Sequence, residues 1–179
     1  RLPPSVPVVR LEDAGMAVQM AEYVCHAVIR HFRELGPYEA AMRQGEWGYR
    51  RPRQRSDCAV GVLGLGVLGQ RVAQALAQFE FPLNGWSRSP KVLDGVRCYS
   101  GAEGLNDFLA ASRVLVNLLP LTPDTENILN HGTLSRLPGG AYVINVARGA
   151  HLVDEDLLAL LDSGHLSGAT LDVFRTEPL

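Results

Sequence analysis

Three glycines with the spacing Gly-x-Gly-x-x-Gly stand out in the first half of the chain: Gly64, Gly66 and Gly69. They follow the apolar run Ala59–Leu63 and precede an amphipathic segment, so they join a predicted strand to a predicted helix. There the first glycine permits a tight turn, the second lets backbone N–H groups approach a pyrophosphate, and the third lets helix and strand pack closely. The pattern predicts a dinucleotide-binding turn; the alternative, a glycine turn without a ligand, is disfavoured by the strand–turn–helix setting.

The end of the second predicted strand indicates which dinucleotide. NAD sites usually place an acid there to bind the ribose 2′-hydroxyl. Ser87 stands eighteen residues after Gly69, where that acid is expected, and no acid is nearby. Arg88 and Lys91 instead offer positive charge to a 2′-phosphate, although solvated loop residues are the alternative. We therefore expect NADPH (NADP) to be preferred, with NAD possible.

Charged residues also follow two later predicted strands. Arg148 lies in the sequence Asn-Val-Ala-Arg-Gly, and Asp172 lies in Leu-Asp-Val-Phe. Because the carboxyl ends of parallel strands share one edge of a sheet, both residues should lie on the side of the glycine turn. A helix-capping or surface role is the alternative for Arg148.

The elements that must position these residues alternate along the chain from residue 59 onward. Short apolar runs alternate with amphipathic segments, which predicts an α/β fold of the Rossmann type: a doubly wound parallel sheet. A long helix is predicted from Asp13 to about Leu35, ended by Gly36 and Pro37, and Asp154 is a predicted helix N-cap. The predicted strands are Ala59–Leu63, Leu83–Trp86, Val96–Tyr99, Val114–Leu118, Ala141–Val146 and Ala169–Val173.

Composition sets outer limits. The 179 residues suit one α/β domain, and 46% hydrophobic residues predict a sizeable core. The net charge of −2 gives no reason to expect nucleic acid or an anionic membrane as partner, and no apolar run approaches the ~18 residues of a membrane span. Three widely spaced cysteines without a Cys-x-x-Cys pair indicate reduced thiols, a cytoplasmic protein and no metal site.

Taken together and in this order, the sequences GLGVLG, LPLTPDT, NVARG and LDVF followed by EPL resemble the NAD(P)-binding domain of the D-2-hydroxyacid dehydrogenases. Within that family, the chain is similar to the bacterial A type of glyoxylate/hydroxypyruvate reductase. The resemblance implies an oxidoreductase that reduces small 2-oxo acids by hydride transfer from NADPH. Two alternatives stay open: an NAD-linked dehydrogenase of another substrate, and a cofactor-sensing scaffold without catalysis.

The resemblance also implies roles for individual residues. Arg148 matches the arginine that holds the substrate carboxylate and polarises its carbonyl, and Glu177 matches the acidic partner of the catalytic histidine. Asp172 matches the acid near the nicotinamide carboxamide, while Ser87 and Arg88 match the loop that favours NADPH. The predicted cofactor-binding residues are Gly64, Leu65, Gly66, Val67, Leu68, Gly69, Trp86, Ser87, Arg88, Ser89, Lys91, Leu119, Pro120, Thr122, Thr125, Val146, Ala147 and Asp172.

The catalytic histidine of the family follows the Glu-Pro sequence, so we expect it beyond residue 179. We expect residues 1–179 to be the NAD(P)-binding domain of a longer enzyme, inactive alone, with most of the substrate domain outside them. The family also implies a homodimer formed through the long N-terminal helix. The histidines present do not match the catalytic position and are expected to have surface or packing roles: His26, His31, His131, His151 and His165.

Overall fold

In the computed structural model, which describes residue 7 and residues 15–178, a six-stranded sheet has the order β3-β2-β1-β4-β5-β6. All five strand pairs of this sheet are parallel, and the order reverses between β1 and β4. This confirms the predicted doubly wound sheet, whose reversal point is where such folds bind ligands. The strands are β1 (Val60–Leu63), β2 (Leu83–Ser87), β3 (Val96–Ser100), β4 (Val114–Asn117), β5 (Ala141–Asn145) and β6 (Leu166–Leu171).

Helices cover both faces of the sheet. On one face, Val24 of the first helix and Val72 of the third pack with the sheet in one core; on the other face, Phe108 and Leu157 belong to a second core. Strands β1 and β4 are buried along their whole length, as is typical of parallel sheets covered on both sides. The helices are α1 (Met16–Phe32), α2 (Leu35–Arg43), α3 (Val67–Ala77), α4 (Gly101–Ala110), α5 (His131–Leu134) and α6 (Asp154–Asp162).

The predicted end of the long helix was wrong. Residues 13 and 14, its predicted start, lie outside the described residues. Helix α1 ends at Phe32, and Glu34 has a left-handed backbone (φ 53°) that separates it from α2. Gly36 and Pro37 lie inside α2, because a proline in the first helical turn lacks only an N–H group that has no intrahelical partner there.

Two other boundaries also differ from the prediction. Strand β6 begins at Leu166, three residues before the predicted start at Ala169, and ends at Leu171. Its sequence is short of apolar residues because it lies at the edge of the sheet and is largely half-buried. Asp154 is the first residue of α6, not its N-cap, which is Val153. Its carboxylate and those of the two acids after it still interact favourably with the positive end of the helix dipole.

Candidate cofactor-binding cleft

The glycine turn between β1 and α3 has the geometry that the spacing predicts. Gly64 has φ 110°, a conformation that side chains disfavour. A Cβ on Gly69 would lie 1.8 Å from the Gly64 carbonyl oxygen, so only glycine allows α3 to approach β1 this closely. A Cβ on Gly66 would meet no atom within 4 Å. Gly66 therefore faces open space at the start of the helix, where a pyrophosphate fits.

Two cavities meet at Gly66. The first, here called the β2-side cavity, has a volume of about 450 Å³ and extends over the end of β2 to Ser87, Arg88 and Lys91. The second, here called the β5-side cavity, has a volume of about 520 Å³ and extends past Val67 to Arg148. Leu119 and Pro120 also line both cavities. Two compartments joined at a phosphate-binding turn fit the two halves of an extended dinucleotide.

The structure brings together all but two of the predicted cofactor-binding residues. Only Ser89 and Asp172 do not line either cavity. Sequence reasoning missed other lining residues, which come from the start of α1, from α4 and from the segment after β4; the motif in that last segment did not show which of its side chains face the cleft. These additional residues are Met16, Met20, Gly101, Ala102, Leu105, Leu118, Leu121, Asp124 and Ile128.

The loop after β2 places two cations in different ways. The Ser87 hydroxyl donates to the Ser89 carbonyl at 2.7 Å, which closes the loop. Arg88 is exposed, and its guanidinium makes no hydrogen bond or ion pair with the described part of the chain. The Lys91 ammonium instead donates to the Leu65 carbonyl in the glycine turn at 2.7 Å. Arg88 is thus the freer of the two to bind a 2′-phosphate, while Lys91 also supports the turn.

Arg148 and Glu177 lie on two chain segments that touch. Arg148 is exposed in the β5-side cavity, and its Nη1 donates to the Ala147 carbonyl at 2.6 Å. A Cβ on Gly149 would lie 1.9 Å from the Phe174 carbonyl carbon, so the segment after β6 crosses directly over the turn that follows Arg148. In that segment the Glu177 carboxylate accepts the Phe174 N–H at 2.7 Å. The fold therefore presents a guanidinium and a carboxylate at neighbouring points of one edge.

Asp172 connects the end of β6 to two neighbours. Its backbone N–H donates to the Asn145 carbonyl at 3.1 Å. Its carboxylate interacts with the Tyr23 hydroxyl on α1, and the pKa of Tyr23 is raised, first by burial and then by the charge of Asp172 and the hydrogen bond with it. Asp172 is exposed and does not line either of the two cavities.

Sequence reasoning also missed a buried polar cluster behind the β5-side cavity. Asn117, Asn145 and His151 are each 0% exposed, and their side chains contact one another. Burial lowers the pKa of His151, so the imidazole is neutral near pH 7. The available signal was an asparagine closing each of two apolar strands, β4 and β5.

The other histidines lie away from the cleft lining. His26 and His31 are on α1, as predicted, and the ring of His31 stacks on Tyr142 with centroids 4.1 Å apart. Neither cavity is lined by a histidine. In the described ranges no cluster of three or more His, Cys, Asp or Glu side chains could hold a metal ion, and no helix there is long and apolar enough to cross a membrane.

Known proteins match this chain closely in sequence. The profile of the NAD-binding domain of D-isomer specific 2-hydroxyacid dehydrogenases matches residues 25–179. Glyoxylate/hydroxypyruvate reductase A of Serratia proteamaculans is 52% identical over 178 residues, which is 99% of this chain and 57% of that protein. The protein of the same name from Yersinia enterocolitica is 49% identical over the same shares. The chain thus spans somewhat more than half the length of these curated relatives.

Solved structures match it equally well in fold. A D-isomer specific 2-hydroxyacid dehydrogenase from Xanthobacter autotrophicus, in complex with NADPH and MES, superposes with a TM-score of 0.93 at 49% identity, covering 98% of this chain and 73% of that one. An NADPH-dependent glyoxylate/hydroxypyruvate reductase from Sinorhizobium meliloti, in complex with NADP and sulfate, superposes with a TM-score of 0.93 at 42% identity, covering 98% and 57%. By sequence and by fold, the chain belongs to the D-isomer specific 2-hydroxyacid dehydrogenases, and residues 25–179 match their NAD-binding domain.

Proposed function

We propose that residues 1–179 are the cofactor-binding domain of an NADPH-preferring reductase of small 2-oxo acids such as glyoxylate and hydroxypyruvate, whose substrate domain lies largely outside them. One observation carries the proposal. A single continuous cleft joins the glycine turn to an uncompensated cation, Arg88, at one end and to a second exposed cation, Arg148, at the other. The relatives named glyoxylate/hydroxypyruvate reductase A support the same substrate class.

The choice of NADPH rests on the end of β2. The position that would hold an acid for a ribose hydroxyl holds Ser87, whose side chain turns back onto its own loop. The free guanidinium of Arg88 provides paired N–H donors, which suit a phosphate better than a hydroxyl. Structures of two relatives contain NADPH or NADP, which agrees with this choice.

The chain's own residues have separable tasks in such a reaction. NADPH, when bound, supplies the hydride. Arg148 has five N–H donors, of which one engages the Ala147 carbonyl, so the others are free to hold the carboxylate of a 2-oxo acid and polarise its carbonyl. Glu177 is placed to orient the imidazole of a histidine from outside these residues, and a carboxylate beside an imidazole keeps it protonated as a proton donor.

The full-length protein tests this proposal directly. It should reduce glyoxylate and hydroxypyruvate, with a kcat/KM at least about ten-fold higher with NADPH than with NADH. The absorbance of NADPH or NADH, followed with a panel of 2-oxo acids that includes 3-phosphohydroxypyruvate, measures the preference for cofactor and for substrate. Faster turnover with NADH would indicate an NAD-linked dehydrogenase, and tight NADPH binding without turnover of any 2-oxo acid would indicate a cofactor-sensing scaffold.

We further propose that the protein is a homodimer formed through α1. The inner face of that helix is buried in its own domain, whereas Val18 and Tyr23 are exposed elsewhere on the helix. Farther along, Trp47 is 98% exposed and Tyr49 80% exposed, which enlarges the apolar surface available to a second copy. Light scattering of the full-length protein should give the mass of a dimer, and Val18→Asp should shift it to monomer; a monomeric wild type would refute the proposal.

We also propose a cytoplasmic location for the protein. The support is that Cys25, Cys58 and Cys98 are free thiols and that burial raises the pKa of the first two, which keeps them protonated and poorly reactive. Fractionation of the host cell, with detection of the full-length protein by antibody, tests it.

A further inference from the structure

Two asparagines end neighbouring strands in register and close the same kind of turn. Asn117 ends β4 and pairs with Asn145, which ends β5. The side-chain oxygen of each accepts the backbone N–H two residues further on, from Leu119 at 3.2 Å and from Ala147 at 3.3 Å. Such turns fix the backbone that follows a strand. The residues that follow the two asparagines, 118–121 and 146–148, form one wall of the β5-side cavity.

The backbone N–H groups also indicate the direction of the hydrogen bonds between the two asparagine side chains. Because Oδ1 of Asn117 accepts from the backbone, its Nδ2 is the donor, to Asn145 Oδ1 at 3.0 Å and to His151 Nδ1 at 3.1 Å. In this arrangement the neutral ring of His151 accepts at Nδ1 and carries its proton on Nε2, which is buried and makes no hydrogen bond with the described part of the chain; the carbonyls of Pro120 and Arg148 also interact with the ring. Nδ2 of Asn145 in turn donates to the Arg148 carbonyl at 3.1 Å.

We propose that Asn117, Asn145 and His151 are positioning residues that hold the ends of β4 and β5 in one arrangement, and that this arrangement sets the place of Arg148 and hence the affinity for the 2-oxo acid. The inference rests on the proposed function. The backbone carbonyl of Arg148 accepts two hydrogen bonds, one from Asn145 Nδ2 and one from the backbone N–H of His151 at 3.2 Å. Its guanidinium is tied in turn to the Ala147 carbonyl, so a shift of this backbone moves the guanidinium.

A simple packing role for His151 predicts a different outcome. An apolar side chain of similar volume would fill the space, but it would leave Asn117 Nδ2 with one acceptor instead of two in a fully buried place. The amide would then be free to seek another partner, and the turn at Leu119 would lose its fixed geometry. The β2-side cavity depends less on this cluster: it shares Leu119 and Pro120 with the other cavity, but the part that reaches Ser87 and Arg88 is formed by the glycine turn and the loop after β2.

A matched series of variants in the full-length protein separates the two roles. His151→Leu removes both ring nitrogens, whereas His151→Asn keeps an acceptor near the position of Nδ1. We expect the leucine variant to raise KM for glyoxylate at least ten-fold, with its NADPH dissociation constant changed less than three-fold, and we expect the asparagine variant to stay within three-fold in both. His165→Leu, at the start of β6 on the opposite edge of the sheet, is the matched control and should change neither value. A leucine variant within three-fold of wild type in KM, or equal losses in both variants, would overturn the proposal.

The tautomer of His151 provides a test that needs no turnover. Imidazole ¹⁵N shifts of the full-length wild-type protein, assigned with His151→Asn, should show a protonated Nε2 and an unprotonated Nδ1 at pH 8. A proton on Nδ1 at that pH would refute the hydrogen-bond directions and with them the proposal. If the wild type reduces no 2-oxo acid, the proposed function fails. The tautomer and the dissociation constants of oxalate for wild type, His151→Leu and His151→Asn still decide whether the cluster positions Arg148.

Discussion

The two cavities of the cleft are built in different ways. The part of the β2-side cavity that reaches Ser87 and Arg88 depends on backbone shape at the glycine turn and on one closed loop after β2, each formed within a short stretch of sequence. The part of the β5-side cavity that reaches Arg148 depends on side chains at the ends of β4 and β5, which are far apart in sequence. Backbone shape tolerates few substitutions but is local, whereas the side-chain cluster needs every partner in place. We therefore expect substitutions on the two sides to affect different measurements.

The largest expected effect is on substrate turnover and leaves cofactor binding nearly unchanged. Arg148→Lys keeps the charge but replaces a planar fork of donors by a point charge, so it cannot both hold a carboxylate bidentately and keep the Ala147 contact. We expect kcat/KM for glyoxylate to fall on the order of 10²–10³-fold, with the NADPH dissociation constant nearly unchanged. Steady-state kinetics and fluorescence titration of NADPH measure the two.

Arg71→Lys, on the exposed side of α3, is the control for that substitution and should change neither value. A lysine variant that keeps wild-type kcat/KM would remove Arg148 from the active site. A loss of NADPH affinity as large as the kinetic loss would mean that the two sides of the cleft are not separable.

Two alanine substitutions within the glycine turn should have contrasting effects. Gly66→Ala meets no protein atom, so we expect the free energy of unfolding to change by less than about 1 kcal/mol, while NADPH affinity falls about 10- to 100-fold because the Cβ occupies the place of the pyrophosphate. Gly69→Ala forces α3 away from β1 and should cost about 2–3 kcal/mol of unfolding free energy as well as affinity. Urea unfolding and NADPH titration distinguish them; equal stability of the two variants would contradict the packing argument.

The contrast between local backbone and distant side chains also explains which features the sequence could predict. The glycine turn, the alternation of strands and helices, and Ser87 and Arg88 were predictable because short motifs encode them. His151 carries no motif, and its burial depends on β4 and β5 meeting, so sequence reasoning assigned it only a surface or packing role. The start of β6 was misplaced because an edge strand is not marked by an apolar run. The residue roles taken from the family resemblance stay predictions until they are measured.

A third prediction distinguishes the roles of the two cations in the β2-side cavity. Arg88 is free for a 2′-phosphate, so Arg88→Ala should weaken NADPH binding about ten-fold and leave NADH binding unchanged. Lys91 holds the Leu65 carbonyl of the glycine turn, so Lys91→Ala should weaken both cofactors by similar factors. Isothermal titration with each cofactor measures the four constants. If Arg88→Ala keeps the wild-type preference, the assignment of the 2′-phosphate site to this residue is wrong.

The smallest expected effect concerns a histidine outside both cavities. His31 stacks on Tyr142, and its pKa is lowered to about 4, first by burial and then by the charges of Arg53 and Arg113, against an opposing effect of Glu34. Because the unfolded chain binds a proton near pH 6.5 and the folded protein only near pH 4, acid favours unfolding between these values. This contribution is therefore absent above about pH 6.5 and grows as the pH falls towards 4.

His31→Phe keeps a ring against Tyr142 but cannot bind a proton. We expect wild type to lose about 1 kcal/mol more than this variant between pH 7 and pH 5, a value below the full shift because water reaches part of the ring. Urea unfolding of the full-length protein at both pH values measures the difference, and His131→Phe, at an exposed position, should behave as wild type.

Tyr142 is the second residue of β5, so His31 lies near the edge of the sheet opposite the cleft, and its variant should leave kcat, KM and the NADPH dissociation constant unchanged. An unchanged pH dependence would mean that His31 is already protonated in the folded protein at pH 5. A change in KM would instead show that the β5-side cavity responds to packing at the far end of its own strand, and the separation of the cleft from the rest of the sheet would then be incomplete.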